Sequence, residues 1–209
     1  DYVSFGKAGV QVRRLAVGLG LRGQADPAAA QSMIERAIDL GINLIDCANV
    51  YGTMDNRANI GQSEEILARV LKHKRDDLVI TSKVASPIGR GPNDFGLSRY
   101  HIMREVENTL SRLQTDRIDV YLLHVSSKTV PLEETMRALD DLVRSGKVRY
   151  IGCCNFAAWR VCQALWEADK INGSAFITVQ NPYSLLGRYL ELEMFPFVRE
   201  HGLGVMAYS

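Results

Sequence analysis

The sequence predicts an α/β fold, a (β/α)8 barrel, and two observations carry that prediction. Short apolar runs alternate with stretches of helical periodicity from Leu15 to the end of the 209-residue chain, the order that builds a parallel sheet with helical crossovers. Polar residues close successive runs: Asp46, Lys83, His124, Asn155 and Gln180 end the second to the sixth in turn. An open doubly wound sheet gathers its ligand groups where strand order reverses, whereas a barrel stands them at the C-terminal ends of many strands. The stretch G-R-G-P-N, Gly89 to Asn93, lacks the Gly-Lys-Ser/Thr of a phosphate loop.

Composition sets bounds on function. With 46% hydrophobic residues and a formal charge of +1, the chain can bury a substantial core, and no charge excess directs it to nucleic acid or an anionic membrane. Its apolar runs are strand-length and no leader pattern opens it, so a cytoplasmic protein without membrane insertion is expected. Cys47, Cys153, Cys154 and Cys162 show no Cys-x-x-Cys spacing and read as buried, reduced thiols rather than disulfides or a metal site.

In order, Tyr2 to Val12 turns at Gly6 to Gly9 and reads as a hairpin capping the main fold. Leu15 to Leu21 is the first strand, where Gly18 and Gly20 leave room for a ligand or another backbone. Asp26 caps a helix with Pro27 in its first turn; Met33, Ile34, Ala37 and Ile38 share a face, and Gly41 ends it. Ile42 to Ile45 is the second strand, with Asp46 at its end and Tyr51-Gly52 in the loop beyond. A polar loop, Thr53 to Gln62, leads to a helix from Ser63 whose buried face is Ile66, Leu67, Val70 and Leu71.

Leu78 to Lys83 is the third strand, and a loop rich in glycine and proline leads to Ser98, the cap of a helix ending at Leu113. The fourth strand is Ile118 to His124, followed by a helix from Pro131 to Ser145 that Gly146 stops. Val148 to Asn155 is the fifth strand, and Ala157 to Ala168 is a helix on which Trp159 and Trp166, seven residues apart, read as a packing stripe. Ile177 to Asn181 is the sixth strand, Arg188 to His201 a helix, and Gly204 to Ser209 the start of a seventh strand. A barrel needs eight strands and about 250 residues. The expectation is therefore one barrel domain over residues 1–209, here lacking its C-terminal strand or strands, with three alternatives open: a native protein that continues beyond Ser209, a disordered remainder, or a partner chain that covers the gap.

Several blocks, in order, resemble the aldo-keto reductase superfamily over essentially the whole chain. They include I-N-L-I-D-C-A-N-V-Y-G, G-Q-S-E-E-I-L, R-D-D-L-V-I-T-S-K, G-L-S-R-Y-H-I, L-Q-T-D-R-I-D-V-Y-L-L-H and C-N-F. The resemblance implies a (β/α)8 barrel and NADPH-dependent reduction of an aldehyde, ketone or sugar carbonyl, or the reverse oxidation. It carries the family's catalytic tetrad onto Asp46, Tyr51, Lys83 and His124. The chemistry suits those residue types. Reduction of a carbonyl leaves negative charge on oxygen, which needs a proton donor within reach. Tyr51 is that donor in this reading; Lys83 is expected to lower its pKa from roughly 10, Asp46 to hold Lys83, and His124 to orient the carbonyl. Any one such residue at a strand end is usually an ordinary paired or solvated charge, and it is the set of four that carries weight.

The same resemblance implies an NADP(H) site formed by Asp46, Cys154, Asn155, Gln180, Tyr208 and Ser209. Asn155 and Gln180 would hold the nicotinamide carboxamide, with Cys154 where a Ser is common; Tyr208 would stack on the ring, and Ser209 would begin the loop along the pyrophosphate. After His124 the sequence has Val-Ser-Ser where many members have Arg-Pro-Asp, and Cys47 and Asn49 stand in place of the more usual Thr and Asp. The expected partner is a small-molecule carbonyl substrate, with oligomers possible. The rival from another class is a nicotinamide-binding regulatory subunit resembling potassium-channel β-subunits.

Overall fold

The computed structural model describes residues 1–208. β1 (Tyr2–Ser4) and β2 (Gln11–Arg13) form an antiparallel hairpin with Val3 opposite Val12. Its turn needs Gly6, at φ +64°, because a side chain there would meet the Ile177 carbonyl and the Gly204 nitrogen at 2.5 and 2.6 Å. The hairpin lies against the entry ends of the last two strands, where Lys7 N–H donates to the Gly202 carbonyl. It therefore caps the end of the fold opposite to the polar strand ends.

Seven parallel strands follow: β3 (Ala16–Gly18), β4 (Leu44–Asp46), β5 (Val79–Val84), β6 (Ile118–Leu123), β7 (Val148–Cys154), β8 (Phe176–Pro182) and β9 (Gly204–Tyr208). They pair in sequential order from β3 to β9, without a reversal. The helices between them are α1 (Pro27–Asp39), α2 (Gln62–Leu71), α3 (Arg99–Leu113), α4 (Leu132–Arg144), α5 (Ala158–Lys170) and α6 (Met194–His201). This is the curled sheet of a (β/α)8 barrel, with seven strands among the described residues. Two apolar clusters hold it. Phe5, Val12, Leu44, Val79, Val120, Leu122, Ile177 and Met206 fill the inside of the curl, while a larger cluster packs the helices on its outer face. β3 and β9 are the outer strands, and both line a cleft of about 690 Å³ together with Phe5, Val12 and Leu44.

Three expectations needed correction. The segment from Arg188 is not one helix: a short 3-10 turn, Tyr189–Glu191, precedes α6. Pro196, in the first turn of α6, lacks an N–H and its ring would collide with the carbonyl four residues back, so a continuous helix cannot run through it. Trp159 and Trp166 face outward, 63% and 61% exposed, since Ala158, Val161, Ala164 and Ala168 form the buried face of α5. Arg160 and Lys170 lie over their rings, at 5.8 and 5.0 Å from the centroids. Cys162 is exposed, whereas Cys47, Cys153 and Cys154 are buried free thiols as expected.

Candidate active site

The site is built at the C-terminal ends of the strands. Asp46 is the last residue of β4, and its two oxygens have separate partners: Thr81 Oγ donates to Oδ1 at 2.6 Å and Lys83 Nζ to Oδ2 at 2.9 Å. Thr81 and Lys83 lie two apart on β5, so the pleat sends both side chains to the same face. Lys83 is fully buried and has three N–H donors. Besides Asp46 they reach the Cys47 carbonyl at 2.7 Å and Tyr51 Oη at 3.2 Å.

Tyr51 comes from a loop that is fixed rather than free. Its N–H donates to the Ala48 carbonyl, and its own carbonyl accepts from Ser63 N–H at the start of α2. Gly52 lets the Asn59 backbone pass close by; a side chain there would lie 2.0 Å from the Asn59 carbonyl oxygen. Thr53 Oγ donates to Gln62 at 2.6 Å and Asn59 to the Thr53 carbonyl at 3.2 Å, closing the loop on itself. Further back, Asn49 is buried and donates to Glu105 of α3 at 2.9 Å.

His124 follows β6 and meets the Tyr51 ring edge-on, with centroids 5.8 Å apart. Ser86 Oγ lies 3.3 Å from its Nδ1; with that hydroxyl donating, the ring proton resides on Nε2. Burial first and the Lys83 charge second lower the His124 pKa to about 4, so the imidazole is neutral at pH 7. Burial also opposes the charge on Lys83, but Asp46 and the Tyr51 oxygen outweigh it and the net shift is upward. For Tyr51 the expected direction is reversed. Burial raises the phenol's pKa by more than Lys83 lowers it, and Asp46 adds to the rise.

The residues assigned to a cofactor also meet here. Asn155, left-handed at φ +59°, donates to the His124 carbonyl at 2.9 Å and accepts from the Tyr208 hydroxyl. Gln180 lies inside β8 rather than at its end. Its amide has only sulfur partners among the described residues, Cys154 Sγ at 3.3 Å and Met206 Sδ at 3.8 Å. Burial pushes the Cys154 thiol up to about 12, so it acts as a donor and not a thiolate. Ser209 lies outside the described residues. Asp46, Tyr51, His124, Asn155, Gln180 and Tyr208 line one cavity of about 380 Å³. A primary amide such as a nicotinamide carboxamide fits this donor set, because Gln180 retains both a carbonyl and N–H groups for a ligand.

Sequence reasoning missed Thr81, Ser86, Arg22 and Asp55. The first was legible in the alternation T-S-K, which places Thr81 beside Lys83. Arg22 and Asp55 line the same cavity as Tyr51 but read in sequence as solvated loop charges. Gly18, Gly20 and Gly23 also spell G-x-G-x-x-G. That string marks a dinucleotide fold only where a helix opens at once after the strand, and here α1 begins at Pro27 in a sheet without reversed order. Gly18 and Gly20 instead line the cavity. Among the described residues no cluster suited to a metal ion occurs, and no helix is long and apolar enough to cross a membrane.

A sequence model of the Aldo/keto reductase family matches residues 14–209. The chain is 39% identical to "Uncharacterized oxidoreductase YrpG" of Bacillus subtilis, over all of this chain and 66% of that protein. It is 33% identical to "Aldo-keto reductase YhdN" of the same organism, over all of this chain and 61% of the relative. It is also 32% identical to "Probable voltage-gated potassium channel subunit beta" of Arabidopsis thaliana, over all of this chain and 63% of the relative. The chain thus spans just under two thirds of the length of these curated relatives. With the family model covering nearly the whole chain and these relatives above 30% identity, the chain belongs to the aldo/keto reductase family.

Proposed function

We propose that this chain carries the active site of an NADP(H)-dependent oxidoreductase that reduces an aldehyde, ketone or sugar carbonyl, or runs the reverse, with Tyr51 as the proton donor. One observation carries the reading: all three Lys83 N–H groups are engaged, the third on Tyr51 Oη. Tyr51 oxygen accepts that bond, so its own O–H is free for a ligand in the cavity it lines. Its raised pKa keeps the phenol protonated at neutral pH, the state a donor needs. As that proton leaves, the adjacent ammonium stabilises the phenolate, and Asp46 holds the ammonium in register.

His124, neutral and beside the Tyr51 ring, offers an uncharged N–H that steers the carbonyl oxygen without competing for the proton. Asp46, Cys154, Asn155, Gln180, Tyr208 and Ser209 are the proposed cofactor residues; a bound nicotinamide would supply the hydride. In this reading residues 1–209 belong to one barrel domain of a cytoplasmic protein acting on small molecules. The second reading, a nicotinamide-binding regulatory subunit, is favoured by the Arabidopsis relative's name. Fluorescence titration with NADPH, followed by NADPH oxidation across a carbonyl panel, separates the two on the full-length protein. Binding with turnover supports the reductase; binding without turnover across the panel supports the regulatory subunit.

A further inference from the structure

The cavity has a charged wall that the tetrad and the amide residues do not use. Arg22, just after β3, and Asp55, in the loop after Tyr51, both line it and face each other across 3.5 Å. Their loops are clasped by backbone: Met54 N–H donates to the carbonyls of Leu21 and Gln24 at 3.1 Å each. Leu21, Met54 and Asp55 hold left-handed φ values of 47°, 59° and 52° to do so. Strain of that kind in residues other than glycine persists where surrounding structure fixes it, and it concentrates at ligand sites.

The ion pair is weak as a stabilising contact, because its side chains are 80% and 60% exposed. The contact runs from Nε of Arg22 to Oδ2 of Asp55, and Arg22 has no side-chain hydrogen bond among the described residues. The edge of the guanidinium carrying the two terminal nitrogens has no protein partner among the described residues. Arg22 is also the only cation among the described residues lining the cavity. A carboxylate or phosphate can dock on that edge through two parallel N–H bonds while Nε keeps its contact with Asp55. A cationic ligand has no matching fork, since Asp55 offers it a point contact already neutralised by Arg22.

We infer that Arg22 is a specificity residue that selects carbonyl substrates carrying a carboxylate or phosphate away from the reacting carbon, with Asp55 orienting its guanidinium. The carbonyl chemistry in this inference rests on the reductase reading; the anion recognition does not.

The test uses the full-length protein with 4-carboxybenzaldehyde and benzaldehyde as probes. NADPH oxidation reads turnover, and saturation-transfer NMR without cofactor reads binding. Wild type is expected to favour the charged aldehyde. Arg22→Ala is expected to lower the ratio of kcat/KM values, charged over neutral, by about tenfold, the scale of one charge-assisted contact. Asp55→Asn, which weakens the contact that orients the guanidinium, is expected to lower that ratio too, by less than Arg22→Ala does. A ratio that Arg22→Ala leaves within twofold overturns the inference. So does a weakened NADPH affinity in Arg22→Ala with no change in the ratio, which would assign the arginine to the cofactor's phosphates. If neither aldehyde turns over, the carbonyl panel decides the reductase reading and NMR still decides the anion recognition. Saturation transfer to the charged aldehyde alone, abolished by Arg22→Ala, supports the inference, and equal transfer to both aldehydes overturns it.

Discussion

Lys83 Nζ donates to Tyr51 Oη across 3.2 Å, while its other hydrogens are held by Asp46 at 2.9 Å and the Cys47 carbonyl at 2.7 Å. The ammonium has no spare donor and no water-facing surface. Its charge is therefore aimed at one phenol, in surroundings where screening is weak. Such a buried pair is weak evidence of a device for stability, because desolvating both ions offsets most of their attraction. Its placement beside a cavity-lining tyrosine is the stronger clue to a role.

Lys83→Met removes one ion and leaves the Asp46 carboxylate buried with Thr81 as its remaining side-chain donor. The expected loss of unfolding free energy is about 3–5 kcal/mol, read from urea denaturation. Adding Asp46→Asn should restore part of that loss, since no uncompensated charge then remains. A double variant no more stable than Lys83→Met would show that the charge on Asp46 is not the source of the cost.

The His124 pKa is lowered from 6.5 to about 4. Between those values the unfolded chain binds a proton that the folded chain refuses. The contribution of His124 to stability is thus complete above pH 6.5 and is lost as pH falls towards 4, on the order of 3 kcal/mol in total. Urea unfolding at pH 7.5, 6 and 5 should give a shallower pH dependence for His124→Leu than for wild type. Parallel curves would contradict the assignment.

Asn49 is buried and donates to the buried carboxylate of Glu105. Asn49→Asp should therefore destabilise the chain, by about 2–3 kcal/mol, because two carboxylates would share one dry site. Glu105→Gln in the same chain should recover most of the loss. Thermal melts of the two variants at pH 7 check this, and equal melting temperatures would refute the pairing argument.

Gly152 on β7 lies against β6 and β8, and a side chain there would meet the Thr178 carbonyl at 2.6 Å and Leu122 Cδ2 at 2.8 Å. Gly152→Ala is expected to cost about 1–3 kcal/mol through overpacking. Gly18→Ala, with nothing within 4 Å of its added methyl, is the control and should leave the melting temperature close to wild type.

Much of this was legible in the chain because its logic is local. Asp46, Lys83 and His124 mark the ends of apolar runs, and a strand delivers such residues to one rim of a barrel whatever its neighbours do. The outward turn of Trp159 and Trp166 was not legible, because seven-residue spacing fixes that two residues share a face but not which face; the small residues Ala158, Ala164 and Ala168 decide that. Arg22 and Asp55 meet only because Met54 N–H closes two loops together, a contact between segments more than thirty residues apart. The direction of the Tyr51 shift required knowing how deeply the phenol is buried, since burial and the Lys83 charge oppose each other.

The most direct test of the central claim is Tyr51→Phe in the full-length protein, with NADPH affinity and carbonyl-dependent NADPH oxidation measured side by side. The account predicts cofactor affinity within about twofold of wild type and kcat lowered at least about a hundredfold, the scale of a lost general acid. A variant that binds NADPH and keeps wild-type kcat would contradict the assignment of Tyr51 as the proton donor.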